Sequence, residues 1–403
     1  MLTAEPKPRV RFFEPVTFEH EGQRYVNLRD PFHYAPDGLS VSLPAFMLIT
    51  YMDGSRTVED ICAAFEEECG SAIPAEAVRN LVKDLDNNHL LENENFKLQK
   101  QKVCAAFAAA PVRAAALAGG GYPDDPAAIR AILERFMPAV ERGGPAPFAI
   151  VAPHIDLLAG GPVFGAAFAL LQGSKADTTY VILGVGHALE GDFFACIDKD
   201  FETPLGVSPV NREFLAGLEK GFGEPIYRQM YAHKHEHSVE FQALFLQQLL
   251  PSRHRIVPIL FSFPEVIEEL EHPAYNCQRV DRFTAALKKQ IDRLGDKVCI
   301  IAAIDMSHVG KRFGHEEGVT DKRLAEIERE DRAALAFVAA GDKRGFVEYM
   351  KEMNPRNHVC GFPALYMLLG LLNGRTGELI EYAQNVEGDH DAVVGFAAMS
   401  FSR

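Results

Sequence analysis

The sequence has no run of about 18 apolar residues, so no stretch of it reads as a membrane-spanning helix. It has no dense cluster of Lys or Arg either, and its formal charge is -15. Nucleic acid is therefore excluded as the main partner, because nothing in the chain would replace condensed counterions. The seven cysteines, Cys62, Cys69, Cys104, Cys196, Cys277, Cys299 and Cys360, form no C-x-x-C pair. An odd and scattered set is a poor disulfide framework, and most of these thiols are expected reduced and buried. The opening "MLTAEPKPRVRFFEP" lacks the apolar core and cleavage site of a secretory signal, so a cytoplasmic location is expected.

What is present is an ordinary globular profile, 47% hydrophobic and 24% charged, able to bury sizeable cores. At about 100 to 200 residues per domain, 403 residues suggest two units. In the first, Thr57 and Asp60 form a capping-box pattern that opens a helix ending near Gly70. A second helix starts near Pro74, with Val78, Leu81, Val82 and Leu85 on one stripe. The polar "ENEN" at 92–95 then reads as the tip of a hairpin. Helix, helix, hairpin is a winged-helix-like pattern. Residues 1–100 carry 17 acidic and 10 basic side chains, which argues against DNA. We place this winged-helix-like α+β domain at 1–103, a linker rich in Ala, Gly and Pro at 104–125, and an α/β domain at 126–403.

From about residue 147, short apolar runs alternate with helices. Strands are expected at 147–153, 178–186, 254–262, 297–305, 379–384 and 393–401. Runs apolar on both faces imply a mainly parallel central sheet flanked by helices. In such sheets reactive groups gather at the carboxyl ends of the strands. There the chain delivers His154 in "VAPHIDL", His187 in "GVGH", and Asp305 and His308 in "IDMSH". Cys360 precedes an apolar helix opened by "GFP", where free N–H groups lower a thiol's pKa. Alone, each histidine would be a loop residue, Cys360 a small hydrophobe and Asp305 a loop cap. Together they make a mixed N/S/O donor set suited to Zn²⁺, Fe²⁺ or Cu.

A denser run, "HKHEHSVEFQ" at 233–242, raises a rival site. With Ser238 as N-cap and Glu240 in the first turn, it is partly the start of a helix. His233 and His235 are expected as exposed loop residues.

These segments resemble the Memo family, whose bacterial and archaeal version is AmmeMemoRadiSam system protein B. The resemblance runs in order over residues 111–403. It comprises "PVRAAALAGGGYPDD", "APHID", "ILGVGH", "TPLG", "EHSVEFQ", "DMSHVG", "CGFPAL" and "YAQNVEGDHDAVVGFAA". It implies a fold similar to class III extradiol dioxygenases, whose iron is held by two His and one Glu; in Memo-like proteins the Glu position is a Cys. Carried over, His154, His187 and Cys360 are the metal ligands, Asp305 a further ligand or neighbour, and His308 the acid/base. Glu236 and His237, which match the family's "EHS", belong on the cleft wall as catalytic or substrate-facing groups. Where the family has Gly and Tyr in "PHAGY", this chain has Asp156 and Leu157, which adds a carboxylate and loses a phenol. Ala188 replaces the second His of "SHH", and Met306 and Val309 replace aromatics.

The family name also implies a radical S-adenosylmethionine enzyme and an AMMECR-type protein as partners. The first domain is similar to PqqD-like domains, which implies a peptide ligand. Three functions follow: an iron-dependent redox or oxygenase-like protein, a non-catalytic binding protein on a degenerate dioxygenase fold, or a zinc hydrolase with His308 or Glu236 as base.

Overall fold

The computed structural model describes residues 7–35, 38–137, 146–251, 254–263, 277–388 and 390–403. The chain divides into two compact units, Met1–Ala110 and Pro111–Arg403.

The first unit begins with an antiparallel sheet of β1 (Glu14–His20), β2 (Gln23–Arg29) and β3 (Leu39–Ser42), followed by α1 (Leu43–Thr50). The expected helices are α2 (Val58–Cys69), with the Thr57/Asp60 capping box and Gly70 closing it in a left-handed conformation, and α3 (Ala75–Asn87). Ile61, Val78, Leu85 and Leu90 pack with Val26 and Leu28 into its core. The expected hairpin at 92–95 is not there. Asn93 instead accepts from the Phe96 N–H and caps α4 (Glu94–Ala109), with Glu94 in the favourable first turn. Residues 104–109, read as linker, are the last turns of that helix. The Arg11 guanidinium stacks on Phe96 of α4, 3.6 Å from the ring centroid, and forms a buried ion pair with Asp30. This ties α4 to the sheet.

The second unit opens with β4 (Val112–Arg113), α5 (Pro126–Phe136), β5 (Ala149–Ala152), α6 (Leu157–Ala169) and β6 (Thr178–Val185). Short strands β7 (Phe194–Cys196), β8 (Asp200–Thr203) and β9 (Gly206–Ser208) lead to α7 (Arg212–Phe222), α8 (Ser238–Leu249), β10 (His254–Phe261) and α9 (Cys277–Leu294). Then come β11 (Val298–Ala303), β12 (Asp305–Gly310), α10 (Asp321–Ala339), α11 (Lys343–Asn357), α12 (Phe362–Leu371), β13 (Gly377–Glu387) and β14 (Ala392–Phe401).

Strands β5, β11, β6 and β10 are parallel neighbours in that order, and antiparallel β7 and β14 extend the sheet on either side. Every residue of β5, β6 and β11 is buried, with α6, α8 and α12 packed directly on these strands. Each large apolar side chain buried there contributes about 1.5–3 kcal/mol.

The expected strand at 297–305 breaks at Ile304. One edge of β14 is taken by β13; the other pairs with β5 at Met399–Phe401 and with β12 at Ala392–Phe396. Thus β12 continues the line of β5 beyond its carboxyl end, and Asp305 arrives beside His154. Short β4, β8 and β9 form a separate sheet.

Among the described cysteines none is in a disulfide. Cys196 and Cys299 are buried, while Cys62, Cys69, Cys104 and Cys360 are only partly so. The Cys277 side chain lies outside the described residues. No helix among the described residues is long and apolar enough to cross a membrane.

Candidate metal centre

His154 follows β5, where the chain leaves the sheet. Its backbone N–H and that of Ile155 donate to Asp305 Oδ1 at 3.0 and 3.1 Å, so Asp305 caps the strand end. His154 Nδ1 lies 3.0 Å from the Ala303 carbonyl. A carbonyl only accepts, so Nδ1 carries the hydrogen and Nε2 faces the cleft. There it meets Cys360 Sγ at 3.3 Å and Asp305 Oδ2 at 3.6 Å.

His187 follows β6 in the same way. Its backbone N–H donates to Glu236 Oε2 at 3.0 Å, and its Nδ1 lies 3.1 Å from the same oxygen. Its Nε2 is therefore also left for the cleft. Cys360 comes from the loop before α12, and Gly361 brings it close. A Cβ on Gly361 would stand 2.4 Å from the Asp305 carbonyl oxygen and 2.6 Å from Ile304 Cβ. Sidechain atoms of His154, His187 and Cys360 lie within 4.8 Å of one another, a three-donor group that could hold a metal.

The donor chemistry fits. In metal sites a ligating imidazole commonly donates its other ring N–H to a carbonyl or carboxylate, which fixes its tautomer. Here Ala303 and Glu236 take those two roles. Residues 113–400 match the model of the family described as Memo-like protein. The chain belongs to the Memo family. A MEMO1 family protein of Aquifex aeolicus is 28% identical over 404 residues, covering 98% of this chain and all of the relative. One from Methanopyrus kandleri is 28% identical over 306 residues, 72% of this chain and 99% of its own length. One from Thermus thermophilus is 26% identical over 347 residues, 85% of this chain and 98% of its own.

The electrostatics of this Memo-like cleft call for a cation. Burial alone would lower the His154 imidazole, but Asp305 and Cys360 outweigh it and push it up to about 9. His187, whose side chain is partly exposed, is likewise raised well above its ordinary value, the desolvation it suffers being outweighed chiefly by Glu236. Burial would raise the Cys360 thiol, yet the neighbouring imidazoles, His154 first, hold it down at about 5. Imidazoles held up and a thiol held down beside them form a donor set in which a cation could take the place of protons.

Glu236, His187 and His237 form a second group of donor atoms within 4.8 Å. Glu236 is already engaged, however. Besides His187 it accepts from the Ser238 N–H at 2.9 Å and lies 3.2 Å from His237 Nδ1. The His187 and His237 rings stack at 4.9 Å, so one buried carboxylate aligns two imidazoles. Glu236 is held well below the usual carboxylate range: burial opposes this, and the two histidines and the Ser238 N–H prevail. Burial dominates at His237 and lowers it to about 4. His308 lies on β12 with Nδ1 3.0 Å from the Met306 carbonyl, its ring edge-on to Phe313 at 4.9 Å. A cleft of about 240 Å³, lined by His187, Cys360, Ser262, Phe263, His358 and Phe362, opens beside the donors.

His233 is a correction. It is buried, not exposed, with Nε2 donating to the Ala195 carbonyl at 2.9 Å. Burial pushes it down to about 3, so it is neutral. His235 is exposed, as expected. Ser238 is the first residue of α8, not its cap; its hydroxyl donates to the Val185 carbonyl at 3.0 Å. Gln242 donates to the Pro153 carbonyl at 2.8 Å, so α8 fastens the ends of both β5 and β6. Glu240, Arg113 and Tyr122 form a fully buried polar cluster. The only sequence signal for it is that Arg113, Tyr122, Glu240 and Gln242 fall in the segments that resemble the family.

Proposed function

We propose that the Memo-like unit holds iron(II) on His154, His187 and Cys360 and serves a redox or oxygenase-like reaction on a small molecule. The observation that carries this reading is the commitment of both Nδ1 atoms, to Ala303 and Glu236, which leaves two Nε2 atoms converging with one Sγ. When bound, iron supplies exchangeable, redox-active coordination positions. Cys360 contributes thiolate charge and makes the donor set softer than a carboxylate would, so Cu or Zn²⁺ also fits. Asp305 has one oxygen committed to two backbone N–H groups and acts as a neighbouring charge. His308 has its Nδ1 fixed on a carbonyl, which leaves Nε2 to take up or release a proton. His237 supplies a neutral imidazole stacked on His187 and edge-on to His154. Glu236, saturated with donors, serves as an orienting carboxylate rather than a base, which weighs against a zinc hydrolase using it.

The test is anaerobic purification with elemental analysis, repeated for Cys360→Ala. Stoichiometric iron in the wild type, lost in the variant, is expected; a protein with no affinity for iron would sink the reading. The small cleft favours a second reading, a metal- or partner-binding protein without turnover. In that case His308→Ala would leave the protein's role intact.

The first unit is proposed as a peptide-binding module. A groove of about 420 Å³ supports this, with Val58, Val82 and Leu91 in its lining beside Lys7, Arg79 and Lys83. A radical S-adenosylmethionine enzyme and an AMMECR-type protein are the proposed partners, in the cytoplasm. Failure of the full chain to retain either protein, or their peptide substrates, in a mixing experiment would count against this.

A further inference from the structure

We infer that Arg113 is a positioning residue of the metal centre and acts through Glu236. The inference rests on the metal-binding reading above. Arg113 sits on β4, opposite Phe201 of β8, and its side chain is fully buried. Its Nε donates to the His233 carbonyl at 2.9 Å, one terminal nitrogen to the Glu236 carbonyl at 2.6 Å, and the other to the Glu240 carboxylate. Three acceptors from 233–240 are thus held by one planar group whose donors have a fixed geometry.

The Glu240 carboxylate is pinned in turn. It accepts from the backbone N–H groups of Ala116 and Leu117 at 2.9 and 3.0 Å, and from the Tyr122 hydroxyl. Arg113 alone therefore links the loop that enters α8 to the first turn of that helix, where Glu240 is held. That loop carries the carboxylate holding His187 by both its backbone and its ring. A chain of short contacts runs from Arg113 to the Glu236 backbone, from its carboxylate to His187, and from His187 to the metal position. The loop itself is a 3-10 turn and a few connecting residues, without sheet pairing of its own. Something outside it must help fix where Glu236 points, and Arg113 bonds to two of its carbonyls, those of His233 and Glu236.

The test uses the full chain with Co²⁺ alone as probe. Arg113→Lys keeps the positive charge for Glu240 but cannot bridge two carbonyls and a carboxylate in one plane. It is expected to weaken Co²⁺ binding by about tenfold to a hundredfold, the usual effect of losing an outer partner, and to alter the Co²⁺ ligand-field bands. Hydrogen exchange of the 233–238 backbone should accelerate in parallel. Tyr122→Phe removes one donor from Glu240 but leaves both carbonyl anchors, so its effect on affinity, bands and exchange in that loop should be clearly smaller than that of Arg113→Lys. If Arg113→Lys fails to fold, Arg113→Met combined with Glu240→Gln removes the buried charges together and loses the same anchors. A folded Arg113 variant with wild-type affinity, bands and exchange would overturn the inference, as would equal losses in Tyr122→Phe. A wild type that binds no Co²⁺ would defeat the metal reading alone, since exchange at 233–238 still decides whether Arg113 fixes the loop.

Discussion

Glu236 grips His187 at two points, accepting its backbone N–H at 3.0 Å and lying 3.1 Å from its Nδ1 through the same oxygen. Position and tautomer of one candidate ligand are thereby set by a residue 49 positions away. Because the second oxygen serves Ser238 and His237, the carboxylate cannot rotate without breaking other bonds.

Glu236→Gln should therefore fold yet bind metal about 10- to 100-fold more weakly, since an amide nitrogen would face a donor where an acceptor is needed. Competition against a chelator measures this. Unchanged affinity would mean that His187 is oriented by something else.

Asp305 separates two roles by substitution. Asn keeps an oxygen for the N–H groups of His154 and Ile155, whereas Ala leaves both without an acceptor at the end of a buried strand. Each buried group left unpaired costs about 1–3 kcal/mol, so denaturant unfolding should show Asp305→Ala clearly less stable than Asp305→Asn. Equal losses would show that the charge, not the cap, is what matters.

At Gly361 the issue is space. A methyl group would meet the Asp305 carbonyl oxygen and Ile304 at 2.4 and 2.6 Å. Gly361→Ala should cost about 1–3 kcal/mol through the forced backbone shift and weaken metal binding by moving Cys360. Thermal unfolding of the metal-free protein, followed by titration with Co²⁺, reads both effects.

The thiol makes a prediction about pH. Its pKa in the folded metal-free protein is lowered to about 5 from an ordinary 9, so folding favours the thiolate. The stabilisation is lost as pH falls through about 5 and the thiol protonates, and its imidazolium partner His154 is lost in turn as pH rises through about 9. Thiolate absorbance in the ultraviolet, taken as wild type minus Cys360→Ala, should accordingly titrate near pH 5. A midpoint near 9 would show that the imidazoles do not stabilise the thiolate.

Much of this was legible in the sequence. All six expected strands formed, because continuous apolar runs between turns are local signals that burial on both faces leaves behind. His154, His187, Asp305 and Cys360 could be gathered at one edge since a parallel sheet aligns its carboxyl ends. Local polarity misled where it had two explanations. "ENEN" is polar enough for a turn, but Asn93 and Glu94 cap and start a helix. His233 looks like a loop histidine, yet the chain around it is covered, and nothing nearby in sequence says so.

By itself, then, the sequence determined the α/β alternation and the strand ends that carry the donors, because those depend on hydrophobic period and chain direction. Only the tertiary structure decided which ring nitrogen each histidine presents, that β12 continues the line of β5, and that Arg113 belongs to the site. Those depend on contacts between residues far apart in the chain, such as His154 and Asp305 at a separation of 151, and no local pattern encodes them.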